Sequence, residues 1–123
     1  MAALAIDHVQ IAIPPGGEAE GRRFFADLLG LEEMAKPASM AGRGGCWFQL
    51  GDTQIHLGAE ADFRPARKAH VALRTSNLAA LRRRLDEAGY ETRDDVAVGG
   101  RARFFTHDPF GNRIEFIDEA PSP

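Results

Sequence analysis

The chain is 123 residues long, which is one domain with a core of its own. With 44% hydrophobic residues, 27% charged residues and a net charge of −3, it is neither a disordered tail nor a polybasic binder of nucleic acid or anionic membrane. The single cysteine, Cys46, excludes an intrachain disulfide and fits a reducing, cytoplasmic setting. No basic stretch followed by a long apolar one opens the chain, so no signal peptide is expected, and no apolar run approaches the roughly 18 residues of a membrane span.

Residues 5–13 (AIDHVQIAI) alternate and are β-rich, which predicts a strand that ends at Pro14-Pro15-Gly16-Gly17. Residues 18–29 read as a helix, because Phe24 and Leu28, and Phe25 and Leu29, are spaced to share an apolar face. Gly30 follows where a left-handed cap is expected. Strands are predicted near 31–34, 45–50 and 53–57, with Gly51-Asp52 as the turn between the last two. Residues 35–44 carry the weakest pattern and read as a loop over a site.

The pattern then repeats. Residues 69–75 form a strand, Ser76 or Asn77 caps a helix with the stripe Leu78, Leu81, Leu85 and Ala88, and Gly89 stands where Gly30 stood. Strands are predicted near 91–93, 102–106 and 113–118, with Asp108-Pro109-Phe110-Gly111-Asn112 as the turn between the last two. The chain is therefore β-α-β-β-β written twice, with module one at about 4–60 and module two at about 67–119 of a single domain. His8 to His70 is an offset of 62, while Gly30 to Gly89 and His56 to Glu115 are both 59. The shift is confined to the first helix and its entry, where an insertion is easily tolerated.

Each half carries a His near its first strand and a His or Glu in its last. Alternation sets His8, Gln10 and Ala12 against Val9, Ile11 and Ile13, His70 and Arg74 against Val71 and Leu73, and His56 and Glu115 against their apolar neighbours. The bulky face is expected to pack on the helices and the other to line a concave sheet. A buried Glu is costly unless it is paired or bound to a cation. Three imidazoles and one carboxylate, His8, His56, His70 and Glu115, would meet that need around one divalent ion such as Zn, Ni, Mn, Fe or Co. His107 lies outside the repeat relation and reads as a surface or supporting residue. Arg82-Arg83-Arg84, with Asp86 and Glu87 close by, reads as the wet face of the second helix.

The segments DHVQIAI, RRFFADLLGL, TQIHL, KAHVAL and DPFGNRIEF resemble the vicinal oxygen chelate superfamily of glyoxalases, bleomycin resistance proteins and dioxygenases. The resemblance runs from Asp7 to Asp118. It implies an α+β fold in which two βαβββ modules form an incompletely closed eight-stranded barrel, in a homodimer. It also implies that His8, His56, His70 and Glu115 are the metal ligands. The shared chemistry is chelation of neighbouring substrate oxygens by a divalent metal, with Glu115 also available as a general base. His56 departs from the Glu or Gln usual at that place in glutathione-dependent glyoxalases and methylmalonyl-CoA epimerases. Isomerase, lyase, transferase and dioxygenase chemistry therefore stay open. Gln10, Trp47, Gln49, Arg67, Arg74 and Phe105 are the expected substrate-pocket residues, and Arg64, Arg67 and Lys68 are candidate contacts for an anionic group. The alternative expectation is a metal-free protein that sequesters a drug, as bleomycin resistance proteins do.

Overall fold

The computed structural model describes residues 3–123. Eight strands run in order along these residues: β1 (His8–Ile13), β2 (Glu32–Met34), β3 (Cys46–Leu50), β4 (Thr53–Ala59), β5 (Val71–Thr75), β6 (Arg93–Val98), β7 (Arg101–His107) and β8 (Arg113–Asp118). They make two four-stranded sheets, ordered β1-β4-β3-β2 and β5-β8-β7-β6. The chain divides into two compact units after Arg64. Each unit is one βαβββ module, as the repeat requires. In each, the first strand runs parallel to the last and the remaining pairs are antiparallel. No helix among the described residues is long and apolar enough to cross a membrane.

In the first unit α1 (Glu18–Arg22) continues without a break into a wider π-helical stretch, Arg23–Leu28. Phe24 and Phe25 are both buried there, and the Phe25 ring stacks on Phe48 of β3 at 5.8 Å. Ile13, Ile55 and Leu57 complete this face of the sheet. Each such ring or branched side chain contributes about 1.5–3 kcal/mol by leaving water. In the second unit α2 (Leu78–Glu87) is capped by Asn77, whose side chain accepts from the Ala80 N–H, and it buries Leu85. Both helices end on a left-handed glycine, Gly30 (φ 81°) and Gly89 (φ 88°). The N–H of Tyr90 bonds back to the Leu85 carbonyl and that of Leu31 to Phe25, one residue further back.

The changing offset between the halves now has a structural location. The ends of β1 and β5, Ile13 and Thr75, keep the offset of 62. The helix starts Glu18 and Leu78 are 60 apart, because the Pro14–Gly17 entry is two residues longer than Ser76-Asn77. The helix ends Leu28 and Glu87 are 59 apart, and the last extra residue is the one absorbed by the π-helical stretch.

Two of the differences from the sequence reading bear on the second unit's site. The strand expected near 91–93 runs instead over β6, Arg93–Val98, and every residue in it is exposed. Asp94 and Asp95 hide the strand pattern, yet charged residues are typical of an edge strand that must not pair with another chain. β5 begins at Val71, so His70 stands just before it rather than within it. The Arg113 N–H, at the start of the neighbouring β8, bonds to the Ala66 carbonyl.

Gly45 opens β3 at φ 97°, and a Cβ there would overlap the backbone carbonyl of Leu57. Gly45→Ala is expected to lower unfolding free energy by at least about 3 kcal/mol in urea titrations, since strain and a backbone clash add. Gly42→Ala, where a Cβ meets open space, is expected to change it by less than about 1 kcal/mol.

Candidate functional site

Strand register puts the candidate residues of each unit on the sheet face away from its helix. In the first unit His8 lies opposite Gln54, Gln10 opposite His56, and Trp47 opposite His56 on the other side. The Trp47 and His56 rings stack at 3.8 Å and 3°, and His8 stacks on His56 at 4.2 Å and 12°. His56 is thus the middle of a three-ring stack and is buried. Its Nε2 donates to the Gln54 side-chain oxygen at 2.8 Å, and His8 Nδ1 donates to Asp7 at 2.9 Å. Those acceptors leave His56 Nδ1 and His8 Nε2 as the lone-pair nitrogens. Imidazole ligates in its own plane, so two nearly parallel rings 4.2 Å apart meet one ion only if one of them turns. Burial, and then the neighbouring His8, push the His56 pKa down.

In the second unit Glu115 lies opposite Ala72 and Phe105 and is buried at 6% exposure. His70 approaches it with Nε2 2.9 Å from Oε1, while His70 Nδ1 is 2.8 Å from the Lys68 carbonyl. A carbonyl can only accept, so Nδ1 carries a hydrogen. The neutral form of that tautomer has a lone pair at Nε2, and two lone pairs do not face each other at 2.9 Å. The contact requires a proton between ring and carboxylate, or a cation in the proton's place. A ring whose far N–H is fixed by a backbone carbonyl, beside a buried carboxylate, is a donor set that fits a divalent metal. As the side chains stand, no group of three or more His, Cys, Asp or Glu among the described residues is gathered closely enough to hold one.

Arg103 is the residue that sequence reasoning missed. It alternates with Phe105 onto the Glu115 face of β7, and its Nη1 is 3.4 Å from the same Oε1 that His70 meets. Its Nη2 lies 3.4 Å from Asp95 and its Nε donates to the Val96 carbonyl at 2.8 Å. The alternation that placed Phe105 also placed Arg103; only its charge argued against an inward face. Its apolar stem packs readily on a sheet, and Phe105 lies 5.2 Å from its guanidinium.

The expected pocket residues separate. Gln10 and Trp47 line a cavity of about 170 Å³ in the first unit, with Lys36, Met40 and Arg43 from the loop read as a cover. A Cβ on Gly58 would come within 2.8 Å of the Gln10 side chain, so this glycine makes room for it. Gln49 instead donates to Gly51 and Thr53 carbonyls and ties the β3–β4 hairpin. Arg67 and Phe105 line a cavity of about 260 Å³ in the second unit. Arg74 is exposed on β5. Arg64 and Lys68 are exposed and line neither cavity. Cys46 is buried on the helix-packed face, and burial pushes its thiol up to about 11, which removes it as a nucleophile.

The Asp108–Asn112 turn anchors the start of the second unit. The Asp108 carboxyl accepts from the N–H groups of Phe110 and Asn112 and from the Asn112 side chain, each at 2.9 Å. Asn112 Oδ1 then accepts from the Ala66 N–H at 2.9 Å. Burial outweighs these hydrogen bonds and raises the Asp108 pKa from its ordinary value.

Residues 5–116 match the model of the Glyoxalase/Bleomycin resistance protein/Dioxygenase superfamily, and the chain belongs to that family. It is 42% identical to a protein from Bacillus anthracis assigned to the glyoxalase family, over 98% of each chain, with a TM-score of 0.92. The fold is shared with lactoylglutathione lyase from Agrobacterium tumefaciens (18% identity, 96% of each chain, TM-score 0.73). It is also shared with an antibiotic binding protein from Streptomyces (21% identity, 99% of each chain, TM-score 0.75). No curated protein matches the chain.

Two measurements follow from the titratable groups. Trp47 is the one tryptophan, so its emission reports the ring it covers. Protonation of His56 is expected to change that emission with a midpoint below the ordinary 6.5, and His56→Gln to abolish the step. The folded protein holds the Asp108 proton more tightly than the unfolded chain does. The Asp108 contribution to stability therefore falls as pH climbs from the ordinary 3.8 towards the raised value. Urea titrations from about pH 3 to about pH 7 are expected to show this decline in wild type relative to Asp108→Asn.

Proposed function

We propose that the protein is a small glyoxalase-like metalloenzyme that uses a divalent metal to chelate neighbouring oxygens of a small-molecule substrate. The observation that carries this reading is His70: its far nitrogen is fixed by the Lys68 carbonyl and its near nitrogen is aimed at the buried carboxylate of Glu115. His70 and Glu115 are the metal-holding residues of the second unit, and His8 and His56 are those of the first. His8 carries the same supporting pattern, a carboxylate on Nδ1 that leaves Nε2 to ligate. Taking up a ligand role requires one ring of the His8–His56 stack to turn.

The metal, when bound, supplies Lewis-acid polarisation of the chelated oxygens. The residues of this chain do the rest. Lys68 holds the His70 tautomer, and Phe105 meets the His70 ring edge-on at 5.2 Å and limits its rotation. Arg103 steadies the Oε1 side of Glu115, leaving Oε2 as the proton acceptor for a substrate C–H or O–H. Burial at this face keeps water from competing for that proton. Isomerase, lyase, transferase and dioxygenase outcomes all begin from this arrangement. A homodimer belongs to the same reading.

A second reading is supported by the flat Trp47–His56–His8 stack beside the first cavity, a surface suited to an aromatic drug, and by the fold shared with an antibiotic binding protein. One experiment separates them. Protein purified without chelators is expected to carry stoichiometric divalent metal by elemental analysis. Metal at about a hundredfold its Kd is expected to stabilise wild type by about 2.7 kcal/mol and to leave Glu115→Gln and His70→Ala unmoved. Metal-free wild type that gains nothing from any divalent ion, yet binds an aromatic drug as tightly as Glu115→Gln does, would sink the enzyme reading in favour of sequestration.

A further inference from the structure

We propose that the second unit carries an oxyanion site, built by Arg67 together with Arg113 stacked on Phe105, that takes the carboxylate or phosphoryl group of a small molecule. The proposal deepens the function above, on which it rests for calling that molecule a substrate; the site itself needs no metal.

The cavity of about 260 Å³ is lined by both arginines, Phe105 and His107, with acidic residues from the edge of the sheet. Charge pairing decides what it can take. Glu91 is paired with Arg93 at 3.3 Å, Asp95 with Arg103 at 3.4 Å, and Asp94 with Arg82. Every carboxylate in the lining thus already has a guanidinium. Among the described residues, neither Arg67 nor Arg113 lies within ion-pair distance of any carboxylate. Two cations are left over at the cavity wall.

Arg113 is held through its side chain, and Arg67 is placed by the backbone beside it. The Arg113 guanidinium lies 3.8 Å from the centre of the Phe105 ring, which restrains its motion, and it lines the cavity. Phe105 is itself buried. Arg67 follows Ala66, whose N–H is bound by Asn112 and whose carbonyl accepts from the Arg113 N–H, both at 2.9 Å. The backbone of the two arginines is therefore tied together through one residue. The first unit lacks such a site, because the place equivalent to Arg113 is Gln54, which is occupied with His56. A guanidinium edge matches the two-oxygen geometry of carboxylates and phosphoryl groups alike. Arg113 precedes Glu115 by two residues on the same face of β8, so a molecule anchored here extends along the face that carries Glu115.

The test uses chelator-treated wild-type protein at constant ionic strength, with inorganic phosphate and acetate as separate probes. Arginine Nε–H resonances are followed by NMR. Saturable shifts confined to Arg67 and Arg113 are expected, with the tighter probe naming the preferred head group. Arg113→Gln and, independently, the exposed Arg67→Gln are each expected to weaken that binding about tenfold, the loss of one charged hydrogen-bonding partner. Arg83→Gln on α2 is expected to leave it unchanged. Absence of saturable shifts with either probe up to about 50 mM overturns the site. Binding that survives both Arg67→Gln and Arg113→Gln overturns it equally. Because no metal is present, failure of the metalloenzyme reading leaves this result untouched, and the reverse also holds.

Discussion

A carboxylate that is almost wholly removed from water has to be given partners, and Glu115 is given a ring nitrogen and a guanidinium. His70 meets Oε1 at 2.9 Å and Arg103 approaches the same atom at 3.4 Å. The organisation of the second unit serves that requirement. β8 places the glutamate between β5 and β7, the residues before β5 bring His70 over it, and Arg103 comes from two positions along β7 from Phe105. The same oxygen serves a ring and a guanidinium, one at close range and one more distant.

The two units share a backbone plan but differ in what they put on their open faces. The first shows an aromatic stack with an amide, beside Lys36 and Arg43 of the loop; the second shows arginines, acids and one aromatic ring. Equivalent positions make the contrast concrete: His56 against Glu115, Gln54 against Arg113, Trp47 against Phe105. Duplication supplies the scaffold, and divergence of one sheet face supplies the chemistry.

Much of this was legible in the sequence because the signals were periodic. The duplicated order of elements, the glycine caps at Gly30 and Gly89, the Gly51-Asp52 and Asp108–Asn112 turns and the face carrying His8, Gln10, His56 and Glu115 all follow from spacing and alternation. What spacing could not give was orientation within a face. Stacking of His8 on His56, the tautomer imposed by Lys68 and the partition of Gln49 into a hairpin all depend on side-chain torsions that leave no periodic trace. The strand expected near 91–93 is placed too early and ends too soon because the acids of β6 are poor strand formers, and an exposed edge needs no apolar pattern. Arg103 escaped for a related reason, since a long charged side chain reads as surface until its stem is seen lying on a ring.

The π-helical stretch after α1 has a consequence for how such a module changes over time. An added residue in an α-helix would ordinarily turn everything beyond it by about 100° and carry the buried ring positions off the sheet. Here the surplus is stored as one loose coil between Arg23 and Leu28, and the glycine stop beyond it still closes the helix as its counterpart does in the other half. Length can thus drift in one half while the strands that bear the histidines keep their register, so the two copies are free to diverge without rebuilding their shared frame.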